Sequence, residues 1–172
     1  MTRRRATILC EDRAHWHFAR ACLQARGWNV RQLQPRIAPA GRGAAERWVR
    51  DRYPEELRAY RSKAAENACL IVIIDGDKQS PDERVSDLEA TAPRGSQDRV
   101  ALFVPCRNIE TWIAYLEGHA VSEEQQYRSF KRGHSRGDAA RELASRCAGR
   151  GCLDDAPASL VHACDEWRRR LA

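Results

Sequence analysis

Apolar residues in this chain fall into short unbroken runs, and amphipathic stretches separate them. Cys69–Ile74 (CLIVII) and Val100–Val104 (VALFV) are apolar without alternation and too short for a buried helix. They predict strands covered on both faces. Ala6–Cys10 (ATILC) reads the same way and predicts a first strand. Trp28–Leu33 alternates Trp, Val and Leu with polar residues, the pattern of a half-exposed strand. Between these runs the spacing changes to that of helices. Phe18, Ala21, Cys22 and Ala25 share one face, and Gly27 supplies a stop. Pro35–Gly43 reads as a loop, and Ala44 to about Ala65 as a long amphipathic segment. Pro54 interrupts that segment, which predicts either two helices or one kinked helix. Ser80-Pro81-Asp82-Glu83 is a helix start, with Ser80 as the cap and Pro81 in the first position. Thr91–Asp98 is a polar loop, and Asn108–Leu116 carries Ile109, Trp112, Ile113 and Leu116 on one stripe.

Strands alternating with helices predict an α/β fold: a mostly parallel sheet with helices on both faces. Beyond Gly118 the pattern weakens. Val121–Gly137 is polar and irregular, and two further helices are expected, over Ala139–Cys147 and Pro157–Leu171, with Ser159 capping the second. The expected organisation is a core over residues 1–118 and a small helical extension over 119–172 packed on it. The length of 172 residues suits one domain and a substantial core.

Composition narrows the function classes. No stretch approaches the roughly 20 apolar residues that a membrane span requires. The basic start, Met1–Arg5, precedes an apolar run too short for a signal peptide, so a cytoplasmic protein is expected. Seven cysteines are scattered through the expected elements, read here as small buried residues or free thiols. Cys147, Cys152, His162 and Cys164 lack the spacing of a zinc finger. The net charge of +6 comes mostly from arginine, whose planar fork suits phosphate. It permits a nucleic-acid partner, and it equally suits an arginine-rich composition with no such partner.

Acidic residues recur at the ends of the expected strands. Glu11 follows the first, Asp75 and Asp77 follow the central one, and Glu110 follows VALFV after a short loop. Parallel strands end on one edge, so residues distant in sequence converge there. Carboxylates without a Cys or His pattern suit a hard cation such as Mg²⁺ or Mn²⁺, which orients a phosphodiester and activates water. The alternative is that Asp75 and Asp77 only form a turn or cap the next helix. Lys78, beside the pair, either contacts a phosphate or balances the carboxylates. Arg107 and Glu110 stand at the mouth of the last strand, and Arg42 in Gly41-Arg42-Gly43 is a candidate phosphate contact. His15 and His17 follow Glu11 and read first as polar packing beside a site.

A strand ending in Glu, then a helix, then a strand ending in Asp-x-Asp resembles the Toprim domain of topoisomerases, bacterial primases and OLD-type nucleases. More narrowly, ILCEDRAHWHFARACLQARGW, GRGAAERWVRDRYPEELRAYR, IVIIDGDK and VPCRNIETWIAYL resemble small stand-alone bacterial Toprim-like proteins, some of them in phage-defence loci. The resemblance covers most of residues 8–116. It implies a Mg²⁺- or Mn²⁺-dependent nuclease acting on DNA or RNA, with Glu11, Asp75 and Asp77 as metal ligands. Glu110 and Lys78 would join the catalytic group, and Arg107 and Arg42 would bind phosphate. It also implies a separate ABC-type or other ATPase as partner, a role in anti-phage defence, and room for homo-oligomers. Two features depart from the family pattern: Ile8, Leu9 and Cys10 stand where a glycine is usual, and Lys78 and Gln79 where some members carry a third aspartate. These departures point to the alternative, a non-catalytic subunit that binds nucleic acid or a partner ATPase.

Overall fold

The computed structural model describes residues 4–40, 43–63, 67–127, 136–148 and 155–172. Within them β1 (Arg5–Cys10), β2 (Leu33–Ile37), β3 (Ala68–Ile73) and β4 (Val100–Phe103) form one sheet in the order β2-β1-β3-β4. Every pairing is parallel, with Ile8 beside Pro35 on one side and Ile71 on the other, and Ile71 beside Ala101. The helices are α1 (Arg13–Ala25), α2 (Ala45–Ser62), α3 (Pro81–Thr91), α4 (Ile109–Leu116), α5 (Arg136–Ala148) and α6 (Ala158–Arg170).

Alternate strand residues face opposite sides of the sheet, so each unbroken apolar run feeds two cores. Ile8, Cys10, Ile71, Ile73 and Phe103 pack against α1, α4, α5 and α6. Leu9, Leu70, Val72, Ile74 and Leu102 pack against α2 and α3. The expected α/β architecture, with helices on both faces and a helical C-terminal part, is the one observed. The chain steps from β1 to β2 in one direction and then returns across β1 to β3 and β4. Right-handed crossovers in opposite directions must lie on opposite faces, which is why α1 and α2 cover different cores. The reversal leaves a crevice at the C-terminal ends of β1 and β3, the place where open sheets of this order take ligands.

Several local expectations change. Trp28–Leu33 is not a strand; residues 30–32 form a 3₁₀ turn, and β2 begins at Leu33. The Asn29 side chain accepts from the Arg31 amide at 2.9 Å and Gln32 reaches back to the Asn29 amide at 2.8 Å, which closes the turn. Pro35 is tolerated in β2 because that strand is at an edge of the sheet. Helix α2 is continuous through Pro54. Ser80 caps α3 as expected, in a reciprocal pair with Glu83. Ser159 does not cap α6; it lies inside the helix and accepts from Trp112 Nε1 at 2.8 Å. Cys147 and Cys164 are not free thiols but a disulfide joining α5 to α6, which also removes both from any zinc site. Among the described residues Cys10, Cys22, Cys69 and Cys106 are free.

A buried ion pair ties α6 to the outer edge of β4. Glu166 Oε2 accepts from the Leu102 amide at 3.0 Å and from Arg94 at 2.5 Å. Arg94 also donates to the Val100 carbonyl at 2.9 Å. Polar groups that a further strand would have paired are thus satisfied by side chains.

Candidate functional site

Two strand ends meet at the crevice. Glu11 follows β1, and its Oε1 accepts the Asp75 backbone N–H at 2.6 Å across the gap to β3. Asp12 has extended backbone geometry and caps α1, its side chain accepting from the His15 amide at 2.9 Å. That cap sets the first helical turn so that His15 lies over the strand ends. Its ring is 1% exposed, and Nε2 donates to Asp75 Oδ1 at 3.0 Å. His15 Nδ1 lies 3.8 Å from Asp12 Oδ1.

Charges at this depth perturb one another. Burial first, and then the neighbouring Asp75 charge, raise the Glu11 carboxyl to about 7 against the opposing charge of His15. Burial alone would lower His15, but the Asp75 charge and hydrogen bond, with Asp12 and Glu11, outweigh it and lift the imidazole to about 9. Burial and charge thus favour a protonated His15 beside Asp75 and hold the Glu11 proton more tightly than on a free carboxyl.

Asp77 lines a cleft next to this pair. Gly76 donates to the Pro105 carbonyl at 2.8 Å and accepts from the Gln79 amide at 2.8 Å. A Cβ at Gly76 would stand 2.6 Å from the Gln79 carbonyl oxygen, so the turn requires glycine. Asp77 follows in the left-handed region, at φ 53°, and its side chain is 67% exposed. Burial and the Asp75 charge raise its pKa, and Arg84, at 4.0 Å, opposes this. Of the three strand-end acids read as metal ligands, Glu11 and Asp75 are joined by a hydrogen bond, and Asp77, within electrostatic reach of both, lines the neighbouring cleft. Among the described residues no group of three His, Cys, Asp or Glu side chains is arranged to hold a metal.

The space Asp77 faces is an open cleft of ≈ 530 Å³. Arg50, Lys78, Arg84 and Arg107 line it, together with Glu46 and Asp87. Arg84 is buried and donates to Glu46 and, at 3.5 Å, to the Gly76 carbonyl. Its Nε is buried without a hydrogen-bond partner among the described residues. Arg50 reaches Glu46 at 3.4 Å, and Gln79 Nε2 holds Asp87 at 2.8 Å. Arg107, at φ 67°, donates to the Glu123 carbonyl at 3.2 Å. The expected phosphate contacts Lys78 and Arg107 thus share one cleft. Arg42 lies outside the described residues. Glu110 is 1% exposed in the first turn of α4 and does not line the cleft.

His15 and Arg84 are the residues that reading the chain underrated. His15 carried a signal, lying four residues after Glu11 in the first turn behind a strand. Arg84 carried none, since it sits at the end of the first turn of α3 among other polar residues and meets Glu46 only through the fold. Among the described residues no helix is long and apolar enough to cross a membrane. No family model, no curated protein and no solved structure matches this chain.

Proposed function

We propose that this chain is a cytoplasmic, cation-assisted nuclease of Toprim-like type, hydrolysing phosphodiesters of DNA or RNA. In this reading it is the effector of an anti-phage defence system and works beside a separate ATPase. One observation carries the proposal: Glu11 and Asp75 meet at the β1/β3 crevice, beside a cleft lined by four cationic side chains. Internal hydrogen bonds engage Oε1 of Glu11 and Oδ1 of Asp75. Oε2 and Oδ2 are then the oxygens the pair offers to Mg²⁺ or Mn²⁺, a donor set that suits a hard cation. The raised Glu11 fits this, since a cation relieves the repulsion that a proton otherwise relieves. When bound, the cation neutralises charge on phosphate oxygens and lowers the pKa of a bound water.

The chain's own residues set the geometry. His15 holds the Asp75 carboxylate in one orientation. Lys78, Arg50 and Arg107 bind the phosphates on either side of the scissile bond, and Arg84 fixes the Gly76 turn and the start of α2 through Glu46. Asp77 supplies a carboxylate at the rim, facing the leaving strand. The test is cleavage of labelled single- and double-stranded DNA and RNA with Mn²⁺, alone and with the partner ATPase. Asp75→Asn and Glu11→Gln abolish cleavage if the proposal holds; unchanged cleavage in both sinks it.

The second reading is a non-catalytic subunit that binds nucleic acid or the partner ATPase. It is favoured by the internal engagement of both carboxylates and by the outward turn of Asp77. Calorimetry separates the two: heat on Mn²⁺ addition that Asp75→Asn removes supports the nuclease, and its absence supports the binding subunit.

A further inference from the structure

A second cleft, of ≈ 420 Å³, lies at the opposite edge of the sheet. Arg4 directly precedes β1, Arg99 directly precedes β4, and Arg26 and Trp28 follow α1, so the strands begin here and end at Glu11 and Asp75. Trp167 of α6 and the C-terminal residues complete the lining. Among the described residues no lining side chain is a carboxylate, and the one anionic group in the lining is the main-chain carboxylate of Ala172, whereas the cleft beside Asp77 contains three carboxylate side chains, on Glu46, Asp77 and Asp87.

Among the described residues, the side-chain and main-chain groups that orient these arginines are neutral. The Arg26 guanidinium lies 4.8 Å from the Trp167 ring centroid and donates to the Ala144 carbonyl at 3.2 Å. The Arg4 guanidinium lies 5.9 Å from the Trp28 ring centroid. Arg99 donates to Asn67 Oδ1 at 2.5 Å and to the Leu171 carbonyl at 3.2 Å. Each guanidinium has five N–H donors, so these contacts fix direction and leave donors for a ligand. Trp28 and Trp167 are buried, which makes them platforms for the guanidinium groups and leaves no open ring face for a base. Three guanidinium charges around one concavity outnumber the single Ala172 carboxylate there, and an oxyanion of high charge relieves their remaining repulsion. Planar forks held in place by aromatic stacking match phosphate oxygens bidentately.

We propose that this cleft binds a phosphoryl group, carried on a small polyphosphate or on the backbone of a nucleic-acid strand. The site is separate from the Glu11–Asp75 crevice and needs no divalent cation. The experiment uses the full chain in EDTA, in a Lys78→Gln background that weakens the other cleft. Inorganic tripolyphosphate is titrated by calorimetry, and a labelled single-stranded oligonucleotide of about 12 nucleotides by anisotropy. Arg4 is exposed, so Arg4→Gln keeps the fold; circular dichroism checks this for Arg26→Gln.

The expected result is tripolyphosphate binding that each substitution weakens about tenfold, with Arg26→Lys intermediate because it keeps charge but loses the fork. If the oligonucleotide also binds, and its salt slope falls by about 0.7 per arginine removed, the phosphate belongs to a nucleic-acid backbone. Tripolyphosphate binding without oligonucleotide binding assigns a small polyphosphate. No tripolyphosphate binding, or binding that both Arg4→Gln and Arg26→Gln leave unchanged, overturns the proposal. A dead nuclease leaves this result untouched, since neither cation nor cleavage enters the measurement.

Discussion

His15 ties the stability of the fold to pH, and the sign follows from its surroundings. Its imidazole rises from 6.5 to about 9 on folding because Asp75, Asp12 and Glu11 outweigh the cost of burial. A base that binds its proton more tightly when folded stabilises the folded chain wherever that proton is bound. The contribution is complete below about pH 6.5, the unfolded value, and is lost as pH rises through about 9. A shift of this size corresponds to about 3 kcal/mol at 1.36 kcal/mol per unit. Glu11 acts in the same direction over the lower part of the range, since a carboxyl raised to about 7 also holds its proton more tightly when folded. The assay is urea unfolding in EDTA at about pH 6 and about pH 9.5, for the native chain and His15→Gln. Between the two conditions the native chain loses roughly 3 kcal/mol more than His15→Gln, which keeps only the smaller loss from Glu11. Equal stability of the native chain at both pH values, or an equal loss in the variant, would refute the reasoning.

Three further outcomes rest on single contacts. Gly76→Ala puts a Cβ 2.6 Å from a backbone oxygen, and the forced shift costs about 1–3 kcal/mol, read as a lower urea midpoint. Cys147 and Cys164 close a loop of 17 residues. Reduction, or Cys147→Ser, removes about 3 kcal/mol and lowers Tm by roughly 6–12 °C by calorimetry; an unchanged Tm would show that the bond contributes nothing. Glu166→Ala leaves the Leu102 amide without its partner and Arg94 with Glu89 as its remaining carboxylate among the described residues, at a cost of about 3–5 kcal/mol in chemical denaturation. Pairing Arg94→Met with Glu166→Leu removes the unpaired charge but leaves the Leu102 amide and the Val100 carbonyl without these partners, so it recovers only part of that cost.

The unbroken runs CLIVII and VALFV were legible as central strands because burial on both faces removes alternation. The Ser80 cap was legible because its chemistry is local and reciprocal with Glu83. Trp28–Leu33 misled because its alternation belongs to a tight turn that leads into the strand. The Asn29 and Gln32 side-chain bonds that close this turn outweigh weak strand propensity in an edge segment. Ser159 looked like a cap because Ser and a preceding Pro often start helices, but the Trp112 indole uses its hydroxyl. Cysteine pairing was illegible because spacing along the chain does not say which thiols meet, and Cys147 met Cys164 through the packing of α5 on α6.

Local pattern was enough to establish the α/β class, the parallel sheet and the placement of Glu11 and Asp75 on its C-terminal edge. Each of these follows from hydrophobic period and chain direction, which short segments carry by themselves. The exposure of Asp77 in the neighbouring cleft did not follow, because it depends on a left-handed backbone at residue 77 and a glycine wedged against Gln79 and Pro105. Nor did the His15–Asp75 contact, the Arg84–Glu46 pair or the arginine cleft at the far edge. These join elements remote in sequence, and their electrostatics exist only once folding has removed the intervening water and brought the charges within reach.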